Sequence, residues 1–532
     1  MGRFRELFVA HVHMSRRLAR RSFLASLISL LFVLVVIVTA LGTAGTTDMR
    51  LSSDLTPGPV GLELAELLGG LLEQHRPSGV DPPWTEDRFD STRWQWGEDA
   101  NMTSLLQLDA LELLKMRDAH RGFVASIHDR LPTFVAPSGH HSFLGRHHQQ
   151  PRQGIVIIGG GKYFAILMVS LRFLRRTGTT LPVEVFVLEH EYEADVCEHV
   201  LPTLNAVCRI FPPLGGGACP LHGFQLKVFA ILFASFEDVL FLDADCTAMR
   251  DVATLFLSEP FRATGLVTWP DIWQTTVSPL YYLIASQDVV PVARRASSES
   301  GQLVVSKRRH WFTLLLAAYY NYHGPDFYYR LLNQGGTGMG DKETFLPAAD
   351  VFGLPFYSVQ KPVVSVGHRF EHGQTGSRVQ VQHDPVDDYA ITQQIIAAAN
   401  DSLDFAAWNA SYAPVRPLFL HLAWPKWDAV NLLDHISKWS DMTTGIDGRP
   451  EPAFHYPPAL AAQIHGTERM LWEEARWAVC NLHDRLNHWK NKPKAGGMCS
   501  RLDSYFRTVL DADMGIAMRL GPKDVLMPML PE

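Results

Sequence analysis

Asp243 and Asp245 stand one residue apart at the end of an uninterrupted apolar run, Val239-Leu-Phe-Leu242. In extended backbone alternate side chains point to the same side, so the run would deliver two carboxylates to one spot. Carboxylates that close repel each other, and a hard divalent cation relieves the repulsion by taking oxygen ligands. The same cation can offset charge on a departing diphosphate, acting as a Lewis acid. The plain alternative is a pair of capping aspartates at a strand–loop junction.

Other groups of suitable type lie on either side of that pair. Gly159-Gly160-Gly161-Lys162 follows a β-branched run, and glycines there let a nucleotide approach the backbone closely. A tight turn explains them equally well. The string is not a P-loop, because Tyr163 follows the lysine where Ser or Thr is required. Gln225 and Lys227 open a helical stretch just before the aspartate strand, and the Lys227 ammonium could reach a diphosphate or an aspartate. Glu299 and Gln302 flank Ser300-Gly301 ahead of a further β-run, so both could face a bound sugar. Asp341 follows the loop Gly335-Gly-Thr-Gly-Met-Gly340 and could cap the helix after it. His421 ends a late strand, with Lys426 in the polar loop beyond. Trp269 and Trp273 could stack on sugar faces, though core packing explains them as well.

A rival chemistry uses the same pair. Asp243-Ala-Asp245-Cys-Thr247 also fits the Asp-x-Asp-x-Thr nucleophile loop of haloacid-dehalogenase-like phosphatases. That loop belongs on a first strand, whereas a long α/β pattern precedes it here.

The elements that must position these residues read as alternating strands and helices. Gly154 to Ile158, Pro182 to Glu189 and Val239 to Leu242 are strands; Tyr163 to Arg176, Glu193 to Leu204 and Phe224 to Phe236 are helical. Such alternation implies a mostly parallel sheet flanked by helices, whose ligands bind beyond the carboxyl ends of the strands. With 532 residues, 47% of them hydrophobic, a large core is available, and a net charge of -7 gives no basic field for nucleic acid. Arginines crowd the first 21 residues and an uncharged run fills 22–45, long enough for a transmembrane signal anchor; a cleaved signal peptide is the alternative. Residues 46–153 read as a stem with a helical segment, 154–440 as the α/β catalytic domain and 441–532 as a helical extension. All six cysteines follow the apolar run, where an oxidising compartment permits disulfides, and proximity favours Cys480–Cys499.

Several stretches together resemble the fungal Golgi α-mannosyltransferase family that includes the α-1,3-mannosyltransferases. They are Gly154 to Tyr163, Ser170 to Arg175, Leu181 to Val185, Phe224 to Lys227, Asp238 to Asp245, Glu299 to Gln302 and Gly340 to Phe345. The resemblance implies a type II Golgi membrane protein of GT-A fold that moves mannose from GDP-mannose with Mn²⁺. The acceptor would be a mannoside hydroxyl of a protein-linked glycan, with α-1,3 linkage favoured and α-1,2 open. On that footing Asp243, Asp245 and His421 hold the metal, and Lys227 and Lys426 assist the diphosphate. Gly159, Gly160, Gly161, Lys162 and Gln225 lie along the nucleotide. Glu299, Gln302 and Asp341 are then the catalytic candidates. Glu299 is the first choice for the β face of the anomeric carbon, as nucleophile or as stabiliser of an oxocarbenium-like transition state. A non-catalytic subunit of a mannosyltransferase complex is the alternative from another class.

Overall fold

Four short apolar strands separated by helices pair side by side in the centre of the main sheet. The computed structural model describes residues 59–78, 82–83, 103–131, 152–215, 220–367, 378–398, 415–424, 426–432, 449, 451–455, 458–464, 466–490 and 495–510. The chain divides into two units, 1–50 and 51–532. The first, with the apolar span expected over 22–45, lies outside the described residues. Among the described residues no helix is long and apolar enough to cross a membrane.

The strands are β1 (Gln153–Ile158), β2 (Val183–Val187), β3 (Ala206–Ile210), β4 (Asp238–Leu242), β5 (Cys246–Ala248), β6 (Leu266–Gln274), β7 (Ala296–Ser306), β8 (Tyr357–Ser358), β9 (Val364–Val366), β10 (Arg378–His383) and β11 (Pro417–Trp424). Seven form one sheet in the order β3-β2-β1-β4-β7-β6-β8, and β5-β11-β10-β9 form a second. β3, β2, β1 and β4 are mutually parallel, while β7 runs antiparallel to both β4 and β6. The order reverses beside β1, between β2 and β4. A crevice opens at such a reversal, at the carboxyl ends of the strands.

Both faces of this sheet are covered, which is why its central strands are apolar throughout rather than alternating. Ile155 and Ile157 of β1 join one core with the helix Tyr163–Arg176, the second sheet and the helix Thr467–Leu482. Val156, between them, points into the other core, with the wholly buried helix Leu226–Phe233 and the helix Trp311–Tyr322. The helix Pro59–Gln74, assigned to a stem from sequence, belongs to this second core. Its Leu64, Leu68, Leu71 and Leu72 are fully buried, a gross hydrophobic stabilisation of roughly 6–12 kcal/mol. That helix is therefore part of the body. A second helix in the stretch read as stem runs Ala110–Arg130 and is started by a capping box of Asp109 and Glu112.

Two disulfides stitch the lobe around the Tyr163–Arg176 helix. Cys197 bonds Cys208, and Cys480 bonds Cys499 as proximity suggested. The Thr467–Leu482 helix docks through Arg172, whose Nε donates to Glu474 at 2.6 Å and whose guanidinium stacks on Trp477 at 3.7 Å. Cys246 is buried and free.

Candidate active site

The turn after β4 is pinned from two sides. Asp243 N donates to Gly301 O on antiparallel β7 at 2.8 Å, and Cys246 N donates to Asp243 O at 2.9 Å. β5 then starts at Cys246 and pairs with β11, Cys246 opposite His421, while Leu422 N donates to Asp245 O at 2.8 Å. A strand more than 170 residues later in the chain is thereby laid against the aspartate pair. His421 Nε2 comes to 3.5 Å from Asp245 Oδ1. One ligand atom from each of Asp243, Asp245 and His421 lies within 4.8 Å of the others. Two carboxylate oxygens and an imidazole nitrogen suit a hard or borderline divalent cation such as Mn²⁺. The residues present therefore fit the metal.

Two ammonium groups frame the pair. Lys227, buried, places Nζ 2.6 Å from Ser300 O, 2.9 Å from Ser300 Oγ, 3.4 Å from Asp243 Oδ2 and 3.1 Å from Asp341 Oδ2. Lys426 Nζ pairs with Asp245 Oδ2. Burial alone would push the Asp245 carboxyl up, but His421 and Lys426 hold it well below the usual carboxylate range. Asp243 moves the other way: burial, with the Asp245 charge beside it, outweighs Lys227. Burial disfavours a charged His421, yet the Glu299 and Asp245 carboxylates prevail and raise it to about 10. Glu299 is likewise kept ionised against burial, chiefly by His421, with its pKa lowered to about 2.

A cavity of about 830 Å³ opens over these groups. Gly159, Lys227, Asp243, Asp245 and Lys426 line it, so five of the sequence candidates are brought together on its wall. The turn Leu188 to Glu191, Phe211, His222 and Phe224 line it too and were missed. The turn's place just past the carboxyl end of β2 was the available signal.

Other candidates do different work. Gly160 and Gly161 have φ of +101° and +50°, and a Cβ on Gly160 would meet the Glu191 carboxylate at 2.6 Å, so the turn itself requires glycine. Lys162 is exposed and its Nζ sits over the Tyr163 ring, outside the lining of the cavity. Gln225 is buried and donates to Asn321 O and Tyr322 O at 3.0 and 3.1 Å, tying two helices together rather than reaching a nucleotide. Gln302 is fully buried and accepts from Cys246 Sγ at 3.2 Å, beneath the site instead of in it. Asp341 does not cap a helix with its side chain; it faces Lys227. Trp269 is a core residue whose Nε1 donates to His383 O at 2.7 Å. Asp243 follows the fourth strand among the described residues rather than the first, which removes the placement that a haloacid-dehalogenase-like nucleophile needs.

Comparison with known proteins points to a family. A mannosyltransferase family model (Mannosyl_trans3) matches residues 152–295 and 292–384, the stretch that carries β1 to β10. The chain is 33% identical over 389 residues to the α-1,2-mannosyltransferase MNN24 of Candida albicans, covering 61% of this chain and 53% of that protein. It is 30% identical over 416 residues to the α-1,2-mannosyltransferase MNN2 of Saccharomyces cerevisiae, covering 66% of each. The chain thus spans about half to two thirds of the length of these relatives. Both carry α-1,2 in their names, the linkage left open beside the α-1,3 favoured from sequence. Among solved structures, the glycosyltransferase GlyE of Streptococcus pneumoniae TIGR4 overlaps 64% of this chain and 63% of its own at a TM-score of 0.31 and 13% identity.

Proposed function

The chain belongs to the fungal mannosyltransferase family, and from that premise we propose that it transfers mannose from GDP-mannose to a mannoside hydroxyl of a protein-linked glycan, forming an α-1,2 bond. The observation that carries the reading is the convergence of Asp243, Asp245, Lys227 and Lys426 on one cavity at the sheet's reversal point, with His421 buried beside the aspartate pair. Asp243, Asp245 and His421 would hold Mn²⁺, which when bound offsets charge on the diphosphate leaving group. Lys227 and Lys426 contribute positive charge on either side of it, in a partly buried setting where such charge acts strongly. Asp341, held against Lys227, would position that ammonium. The donor carries its mannose in α linkage, so an α product means net retention at the anomeric carbon. Golgi residence with the body on the lumenal side of a single N-terminal span completes the proposal. A mannosyltransferase complex is a candidate partner.

The test uses the full chain in detergent with GDP-mannose, Mn²⁺ and an α-mannobiose acceptor, the product linkage being read by NMR. A new α-1,2-mannosyl signal is expected. Neither transfer nor donor hydrolysis across a panel of sugar nucleotides would sink the enzyme reading and favour a non-catalytic subunit.

A further inference from the structure

We infer that Glu299 is a positioning residue for the metal ligand His421, and not the nucleophile of the transfer; the inference rests on the metal-binding reading of Asp243, Asp245 and His421. The two nitrogens of His421 face different partners. Nε2 looks toward the aspartate pair, 3.5 Å from Asp245 Oδ1. Nδ1 is buried and looks the other way, 3.3 Å from Glu299 Oε1. A histidine that binds metal through one nitrogen commonly donates its other N–H to a carboxylate, which fixes the tautomer and the ring orientation. Glu299 stands where that carboxylate is needed. A small turn of the ring on ligation would bring the Nδ1–H onto line with Oε1.

The carboxylate is itself held. Gly301 N donates to Glu299 Oε1 at 2.7 Å, so the oxygen nearest the imidazole is the one the backbone fixes. Gly301 also leaves room for the ring, since a Cβ there would stand 2.6 Å from His421 Cε1. The rest of the string Glu299-Ser-Gly-Gln302 serves the same centre. Ser300 grips Lys227 through both its carbonyl and its hydroxyl, and Gly301 O receives the Asp243 N–H. Gln302 secures Cys246, next to Asp245. Each of the four residues supports a group around the metal, and an oxygen tied to Gly301 N and His421 is poorly free to attack an anomeric carbon. Of the two routes to retention, a transient Glu299 adduct and attack on the leaving-group face, this arrangement favours the second.

The test is Mn²⁺ binding by titration calorimetry on the purified full chain, which needs no turnover. Glu299→Ala should weaken Mn²⁺ binding about 10- to 100-fold, and the isosteric Glu299→Gln, which keeps an acceptor oxygen, should weaken it less. The combined Glu299→Ala/His421→Ala variant should bind Mn²⁺ no more weakly than His421→Ala alone, because Glu299 acts through the histidine. Additive losses, or an unchanged Kd in Glu299→Ala, would overturn the assignment. So would a mannosyl–Glu299 adduct trapped from the wild type and found by mass spectrometry. If the wild type takes up no Mn²⁺ the metal reading fails with it; if it binds Mn²⁺ but transfers no mannose, the proposed function fails while the positioning role survives.

Discussion

Replacing Gly301 with alanine tests whether His421, the proposed metal ligand, is held by shape. The added Cβ would lie 2.6 Å from His421 Cε1, 2.7 Å from His421 Nδ1 and 3.0 Å from Glu299 Oε1. Carbon atoms pack at roughly 3.5–4.0 Å, so the imidazole would have to retreat by about 1 Å. It has little space, being buried between β7 and β11. Overpacking of this kind costs about 1–3 kcal/mol. If the strain falls on the metal-bound geometry, Mn²⁺ affinity drops by about 5- to 150-fold, at 1.4 kcal/mol per tenfold. The assay pairs calorimetric Mn²⁺ titration with the melting temperature of the metal-free chain, because strain shared by both states appears only in the latter. A Kd within about twofold of wild type would refute the claim that the ring's position is fixed from β7.

Further outcomes follow from charge and covalent linkage. The folded pKa of His421, about 10 in the metal-free chain, lies above its unfolded value, so the stability from this contact is present below pH ~6.5 and lost as pH rises through about 10. Since a metal takes Nε2 without its proton, Mn²⁺ binding at pH 7 should release about one proton and strengthen about tenfold per pH unit; calorimetry showing no dependence on buffer ionisation enthalpy would contradict this. Lys227→Met strands the buried carboxylate of Asp341 and should cost about 3–5 kcal/mol in urea unfolding of the metal-free chain; a loss below 1 kcal/mol would show the ion pair to be dispensable. Opening Cys480–Cys499 by a double serine substitution frees a loop of sequence separation 19 and should lower stability by about 3 kcal/mol, with Mn²⁺ affinity kept; a matching loss of metal binding would mean that this lobe shapes the site.

The sequence revealed the parts of the site that sit on one local element. The helix Tyr163–Arg176 has the bounds its pattern predicts, and the apolar run forms β4, but the strand ends at Leu242 and a turn rather than extended backbone carries both aspartates. Pairs of candidates on one element were read too generously. Gln225 and Lys227 are two apart at a helix start, and such positions do not share a face, so only Lys227 reaches the cavity. Glu299 and Gln302 lie on either side of a register shift in β7, so simple alternation does not place them, and one meets His421 while the other meets Cys246. What stayed hidden is long-range. That β7 runs antiparallel beside β4, and that β5 recruits β11, depends on pairings between segments far apart in the chain. No local periodicity encodes them. The burial of the Pro59–Gln74 helix is of the same kind, because its leucines join a core built from the helix Ala110–Arg130 and from helices that come much later.

The division of the ligands between two sheets has a physical consequence. Asp243 and Asp245 leave the seven-stranded sheet at β4, whereas His421 belongs to the four-stranded sheet through β11. The two sheets meet where the chain turns from β4 into β5, a turn held by Gly301 O on one side and by Leu422 N on the other. A cation bound there would bridge both layers, and ligand binding to the folded state adds about 2.7 kcal/mol of stability at a hundred times Kd. Without the cation, the ammonium of Lys426 and a charged His421 neutralise Asp245 in its place. The carboxylates are therefore paired in either state, so the fold would not depend on the metal even where the proposed chemistry does. Residues that serve both states, Lys227 above all, gain from being buried and rigid, whereas Lys426, partly exposed on its loop, can leave Asp245 as the cation and a diphosphate arrive.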